Sequence, residues 1–125
     1  MIYVKSFRDL EVYKLARVVA KEIFILSKGF PAEEKYSLTD QIRRSSRSVG
    51  AQIAEAWGKM KYEMHFISKL TDADSEQLET QHWIEVSEEC NYIFSETSKS
   101  LLQKCESIGK MLQSMIDKSD TFCKK

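Results

Sequence analysis

Few side chains in this sequence could carry acid–base, nucleophilic or metal chemistry, and their spacing works against it. His65 and His82 stand 17 positions apart and fall about 100° apart around a helix, so they do not form the same-face i, i+4 pair a metal needs. Cys90, Cys105 and Cys123 are odd in number and share no C-x-x-C spacing, which argues against a disulfide framework and against a thiolate cage. Cys90 and Cys105 read as helix packing residues. Asp72, Asp74, Glu76 and Glu79 form a local carboxylate cluster, but they scatter around the helix and no histidine joins them, so they read as a solvated acidic face. No glycine-rich phosphate loop, nucleophile elbow or Cys/His dyad appears. The expectation is a protein that is not an enzyme, with no catalytic residue, no metal and no cofactor.

The one spacing that points to a ligand is basic. Arg43 and Arg47 are one helical turn apart with Arg44 beside them, so three guanidinium groups can sit at the spacing of neighbouring phosphates, and arginine makes bidentate phosphate contacts that lysine cannot. Lys14, Arg17, Lys21 and Lys28 form a second basic stripe upstream. Arg43, Arg44, Arg47, Lys14, Arg17 and Lys21 are therefore the candidate nucleic-acid contacts. The competing reading is a solvated stripe, with Arg43 or Arg47 paired internally to Asp74 or to a neighbouring copy's acidic residues. The formal net charge is zero, yet residues 1–61 hold 12 Lys+Arg and 7 Asp+Glu, while residues 62–125 hold 7 and 12. A chain segregated in this way can present a basic face, unless its halves neutralise each other across helix or subunit contacts.

These residues need elements to position them, and the periodicity supplies helices. With 125 residues, one Pro and four Gly, the chain suits a single all-α domain, 1–125, with an ordered core at about 7–118. Apolar positions recur at helical spacing over about 9–27, 38–58, 63–91 and 96–118, and the short connections between them favour antiparallel neighbours in an up-down-up-down four-helix bundle. Leu38, Ile42, Ser45, Val49, Ile53 and Ala56 make one narrow stripe, preceded by Ser37 with Asp40 where a capping box places its acceptor. Gly29 followed by Pro31 marks the preceding helix stop, with Gly29 in the left-handed C′ position. In the third helix the line Phe66, Ile67, Leu70, Ala73, Asp74, Gln77, Leu78, Gln81, Ile84 has a polar middle that needs partners, with the second-helix arginines or Ser45 and Ser46 as candidates. Ser95 reads as the N-cap of a peripheral fourth helix packed on one side only, and the tail SDTFCKK shows no pattern.

Some apolar surface exceeds what one bundle covers. Val18 and Ile25 line up on the first helix, Trp83 and Val86 on the third, and Gly50, Ala54 and Gly58 leave a small-residue strip on the second. These seven are the candidate oligomer interface. No apolar run is long enough to span a membrane and the N-terminus lacks the apolar region of a signal peptide, so no membrane and a cytoplasmic location are expected.

The stretch LTDQIRRSSRSVGAQIAEAWG, residues 38–58, resembles the second helix of the bacterial 23S ribosomal RNA intervening-sequence proteins. FRDLEVYKLA near the start, FISKL with LET and W-I-E in the third quarter, and CESIGKML near the end agree in order, so the likeness runs over about residues 6–116. The resemblance implies an antiparallel four-helix bundle, a homopentamer and no established enzymatic activity. Two functional expectations follow: an oligomeric bundle that binds RNA or another nucleic acid through the basic face of its first two helices, or a structural adaptor whose oligomer binds a protein partner, as similar bundles do beside reverse transcriptases.

Overall fold

The computed structural model describes residues 4–123. Its long helices are α1 (Glu11–Ser27), α2 (Leu38–Trp57), α3 (Glu63–Glu89) and α4 (Ser95–Asp117), followed by a short α5 (Ser119–Phe122). No strand occurs among the described residues. Contacts run from each long helix to the next and from α4 back to α1.

Cross-contacts fix the sense of each pair. Tyr13, early in α1, meets Gly50, late in α2, whereas Ser27 at the end of α1 meets Arg43. Thr80 of α3 bonds Ser45 of α2, while Lys69 reaches Gln52 and Glu55. Phe66 near the start of α3 stacks on Phe122 beyond α4, while Gln77 lies against Gly109. Each contact climbs one helix as it descends the other, the pattern of antiparallel neighbours.

Several helix ends differ from the sequence expectations. α1 begins two residues late, because Phe7–Asp9 forms a 3₁₀ turn and Leu10 is extended at the N-cap. Gly29 does not take a left-handed φ; Lys28, Gly29 and Phe30 donate to the carbonyls of Ile25, Leu26 and Ser27 in successive tight turns before Pro31. Ser37 holds the N-cap position of α2, but its hydroxyl donates backwards to Glu34 Oε1 at 2.7 Å, and that same carboxylate oxygen accepts the Leu38 N–H at 3.4 Å. Glu34 thus replaces the expected Ser37/Asp40 box. Ser95 is the first residue of α4 rather than its cap, a position held by Phe94. The tail is not without pattern: α5 packs on α3, with Ser119 Oγ donating to Glu63 Oε2 at 2.8 Å, while Lys124 and Lys125 lie outside the described residues.

Among the described residues the left-handed one is Asn91, at φ 62°. It closes α3 in a Schellman arrangement, with Asn91 N–H donating to Glu88 O and Tyr92 N–H to Ser87 O, both at 2.9 Å. Asparagine tolerates this conformation and a β-carbon without its amide does not. Asn91→Ala is expected to lower stability by about 1 kcal/mol while Asn91→Gly leaves it equal or higher, as chemical denaturation would measure.

The turn after Asn91 ties two connections together. Tyr92 stacks near Phe30, 5.4 Å between centroids, and its hydroxyl donates to Glu34 Oε2 at 2.9 Å. Hydrogen bonds from Ser37, then Tyr92, hold the Glu34 carboxyl below its ordinary value, and the Glu34 carboxylate pushes the Tyr92 phenol up to about 12. Stability from Glu34 is present above its unfolded pKa and lost as pH falls through the lowered folded value. Stability from Tyr92 is present below about 10 and lost as pH rises towards about 12. The difference in melting temperature between the native protein and Tyr92→Phe is expected to be flat between about pH 5 and 9 and to shrink outside that window.

The α2 stripe Leu38, Ile42, Ser45, Val49, Ile53 and Ala56 is buried along its whole length. α3 departs from its expected line. Its buried positions are Phe66, Leu70, Ala73, Gln77, Thr80, Ile84 and Ser87, and Leu78 is 54% exposed. Thr80 and Ser87 are buried without loss because their hydroxyls donate to the Glu76 and Trp83 carbonyls, both at 2.8 Å. The polar seam is satisfied within α3, by Gln77 Nε2 to Asp74 Oδ1 at 2.9 Å and Gln81 Nε2 to Gln77 Oε1 at 2.7 Å. Neither the arginines nor Ser46 takes part, and Ser45 bonds Thr80 instead. α4 is not peripheral: it buries Leu101, Cys105, Ile108, Leu112 and Met115 while packing against both α3 and α1.

Candidate nucleic-acid interface

α1 and its C-cap carry Arg17, Lys21, Phe24 and Lys28 at intervals of four, three and four residues, which places them on one ridge. α2 faces that ridge with Arg43, Ser46, Arg47, Gly50 and Ala54. The ring of Phe24 lies between the two rows. The guanidinium carbons of Arg43 and Arg47 stand 4.8 and 5.2 Å from its centroid, and Lys28 Nζ stands 4.7 Å away. Arg43 Nε donates to Ser27 Oγ at 2.7 Å, while the Ser27 hydroxyl donates to Phe24 O at 3.1 Å. Arg17 Nη1 donates to the Tyr13 hydroxyl at 2.9 Å. Phe7 meets Tyr13 edge-on at 4.9 Å, and the Tyr13 ring lies against Gly50.

Two adjoining depressions follow this seam. One, of about 330 Å³, has Ala16, Ala20, Gly50 and Ala54 among its small lining residues, together with Arg17 and Arg47; the other, of about 530 Å³, adds Lys21 and Phe24.

No carboxylate neutralises these cations among the described residues. The ion pairs there are Lys14 with Glu11, Lys69 with Glu55, and Lys104 with Glu22. Lysines of α3 and α4 therefore take up acidic groups of α1 and α2, and no arginine of α2 pairs with an acid of α3. The expected internal partner Asp74 bonds Gln77 instead. Attraction to a half-exposed ring contributes about 0.5–1 kcal/mol per cation. Two cations near 5 Å from one centroid stand at most about 10 Å apart, where their repulsion in water is roughly 0.4 kcal/mol and rises as water is excluded. The ring holds the cluster together without neutralising it, and an incoming anion would relieve the repulsion.

The structure brings together Arg17, Lys21, Lys28, Arg43 and Arg47. It leaves Lys14 in a surface pair with Glu11 and Arg44 exposed, without a ring, hydrogen-bond or ion-pair partner among the described residues. Phe24 was not among the sequence candidates, although it fills the gap in the basic stripe between Lys21 and Lys28. Of the interface candidates, Val18 and Ile25 are 45% and 57% exposed on the outside of α1. Trp83 and Val86 are half-buried on α3, with the Trp83 indole donating to Glu79 at 3.0 Å. Gly50 is buried beneath Tyr13 of its own chain, Ala54 lines the seam and Gly58 is the exposed C-cap of α2. The Gly50–Ala54–Gly58 strip is thus partly an internal surface, with the Tyr13 ring over Gly50 at a distance that would also accommodate a β-carbon.

The ordinary chemical groups lie apart from this seam. His65 and His82 are exposed, each against the ring of a near neighbour, Tyr62 and Trp83. Burial, then Glu106, pushes the Cys105 thiol up to about 12, and Cys123 is also raised, by burial and then Glu63. No helix is long and apolar enough to cross a membrane among the described residues.

The family described as 23S rRNA-intervening sequence protein matches residues 8–114. A crystal structure of a protein of unknown function from the S23 ribosomal protein family of Bacteroides thetaiotaomicron is similar at 34% identity and a TM-score of 0.76, covering 85% of this chain and 95% of that one. No curated protein matches the chain.

Proposed function

The chain belongs to the 23S rRNA-intervening sequence protein family, and from that premise we propose that it is a non-enzymatic bundle which binds the phosphate backbone of RNA through the α1–α2 seam. The observation that carries this reading is the cluster of Lys28, Arg43 and Arg47 around Phe24, with Arg17 and Lys21 beside it in the adjoining depression, which has no carboxylate partner among the described residues. The expected unit is a cytoplasmic homo-oligomer. Exposed Val18 and Ile25 beside the basic ridge supply its apolar surface, and the family resemblance favours a pentamer. Repetition of the cluster around an axis would turn modest contacts into strong overall binding.

Fluorescence anisotropy with a labelled RNA across a salt series tests this. Affinity is expected to fall steeply with salt, and Arg47→Ala to weaken binding equally across sequences while reducing the salt slope by about one unit. Binding that is indifferent to salt would sink the reading. Light scattering that returned a 14.5 kDa particle would sink the oligomer. A second reading, an adaptor for a protein partner, rests on the same exposed Val18 and Ile25. It takes precedence if Arg47→Ala dissociates the oligomer or lowers its melting point instead, because the arginine is then structural.

A further inference from the structure

Proteins that hold single-stranded nucleic acid combine a basic groove with free aromatic faces on which bases stack. The rings of this seam are already engaged: Phe24 carries Arg43, Arg47 and Lys28, while Tyr13 lies against Gly50, Phe7 and Arg17. Exposed Tyr36, Tyr62 and Phe94 belong to the connections between helices rather than to the seam. Phosphates, not bases, are what this face can grip.

The cations also stand in two rows on two helices, whose axes pack roughly 8–10 Å apart. Arg17 and Lys21 are one turn apart on α1, as Arg43 and Arg47 are on α2. Two of these side chains are held in place, Arg43 by Ser27 and Arg17 by Tyr13. A double row with one cation held on each helix matches a partner whose own phosphates are fixed in two rows, whereas a flexible strand must be ordered to fill it, at a cost in entropy. We infer that the α1–α2 seam grips the phosphates of both strands of an RNA double helix where they approach each other across its narrow groove, by shape and charge and without base stacking. This rests on the phosphate-binding reading above.

The test uses the full chain and two labelled probes, an RNA duplex of about 20 base pairs and one of its component strands. The duplex is expected to bind at least about tenfold more tightly, with an affinity that is unchanged when the base sequence is scrambled. Phe24→Leu keeps apolar volume but removes the ring that gathers the cations. It is expected to weaken duplex binding by about three- to tenfold with the salt slope unchanged, since every charge remains. Should Phe24→Leu fail to fold by circular dichroism, Arg43→Lys serves instead, keeping the charge while losing the Ser27 bond and the planar fork, and it too should weaken duplex binding at constant slope. Equal or tighter binding of the single strand overturns the duplex inference and leaves the phosphate reading intact. So does a strong dependence on base sequence, or full duplex affinity in the variant. Absence of salt-dependent binding to either probe overturns both.

Discussion

Phe66→Ala is expected to lower stability by about 3–5 kcal/mol and the melting temperature by roughly 12–20 °C. The ring is fully buried at the start of α3, with its centroid 5.8 Å from that of Phe122 in α5. Truncation removes apolar contact and leaves a cavity that the surrounding helices cannot close, because α3 is held at this end by α5 and the Ser119–Glu63 hydrogen bond. Stability of a domain this size is on the order of 5–15 kcal/mol, so the loss is a large fraction of the whole. Phe122→Ala should cost less, about 1–2 kcal/mol, since Phe122 is only half-buried. A smaller effect for Phe66→Ala than for Phe122→Ala in urea unfolding would mean that the α3–α5 packing is not as described.

Gly109→Ala should destabilise as well, against the usual rule for helices. In a helix interior this change ordinarily gains about 1 kcal/mol. Here a β-carbon would stand 2.9 Å from Gln77 Nε2 and 3.3 Å from Asp74 Oδ1. Gln77 is 4% exposed and held at both ends of its amide, by Asp74 and by Gln81. It cannot move aside without breaking a buried network, which costs about 1–3 kcal/mol per unsatisfied group and adds to the overpacking. A net loss of about 1–3 kcal/mol is expected, and Gly109→Ala combined with Gln77→Ala should recover part of it, a coupling that a double-mutant cycle reads directly. A stabilised Gly109→Ala single variant would show that the polar seam yields freely.

The parts of the fold legible in the sequence are those where burial follows hydropathy. Leu38, Ile42, Val49, Ile53 and Ala56 form a stripe that any 3.6-residue period finds, and all are buried. α3 was read only in part: Gln77 lies on the buried line as expected, but that line also runs through Thr80 and Ser87, whose hydroxyls are satisfied by bonds within the helix, so hydropathy passes them over and promotes Leu78. The basic cluster was half legible. Charge and spacing marked Arg43 and Arg47, but the ring that gathers the cations is an apolar residue inside a basic stripe, and a wheel that sorts residues by polarity discards it. Which acids would be taken up elsewhere could not be read either, since the Lys69–Glu55 and Lys104–Glu22 pairs link segments far apart in sequence. Gly50 lies under a ring of its own chain with room for a β-carbon, so a small residue alone tells neither how closely a neighbour approaches nor which chain it comes from.

The ion pairs have a consequence for how the molecule behaves in bulk solution. Because lysines of the second half quench acids of the first, the surplus positive charge stays on the α1–α2 side and the surplus negative charge on the α3–α4 side, although the chain is formally neutral with a sequence pI of about 6.7. Such a particle is a large electric dipole. In dilute buffer, where the screening length exceeds roughly 10 Å, copies attract positive side to negative side, so turbidity near neutral pH should rise as salt is removed and clear as it is restored. The same polarity lets one preparation adhere to both cation-exchange and anion-exchange resins at a pH where its net charge vanishes.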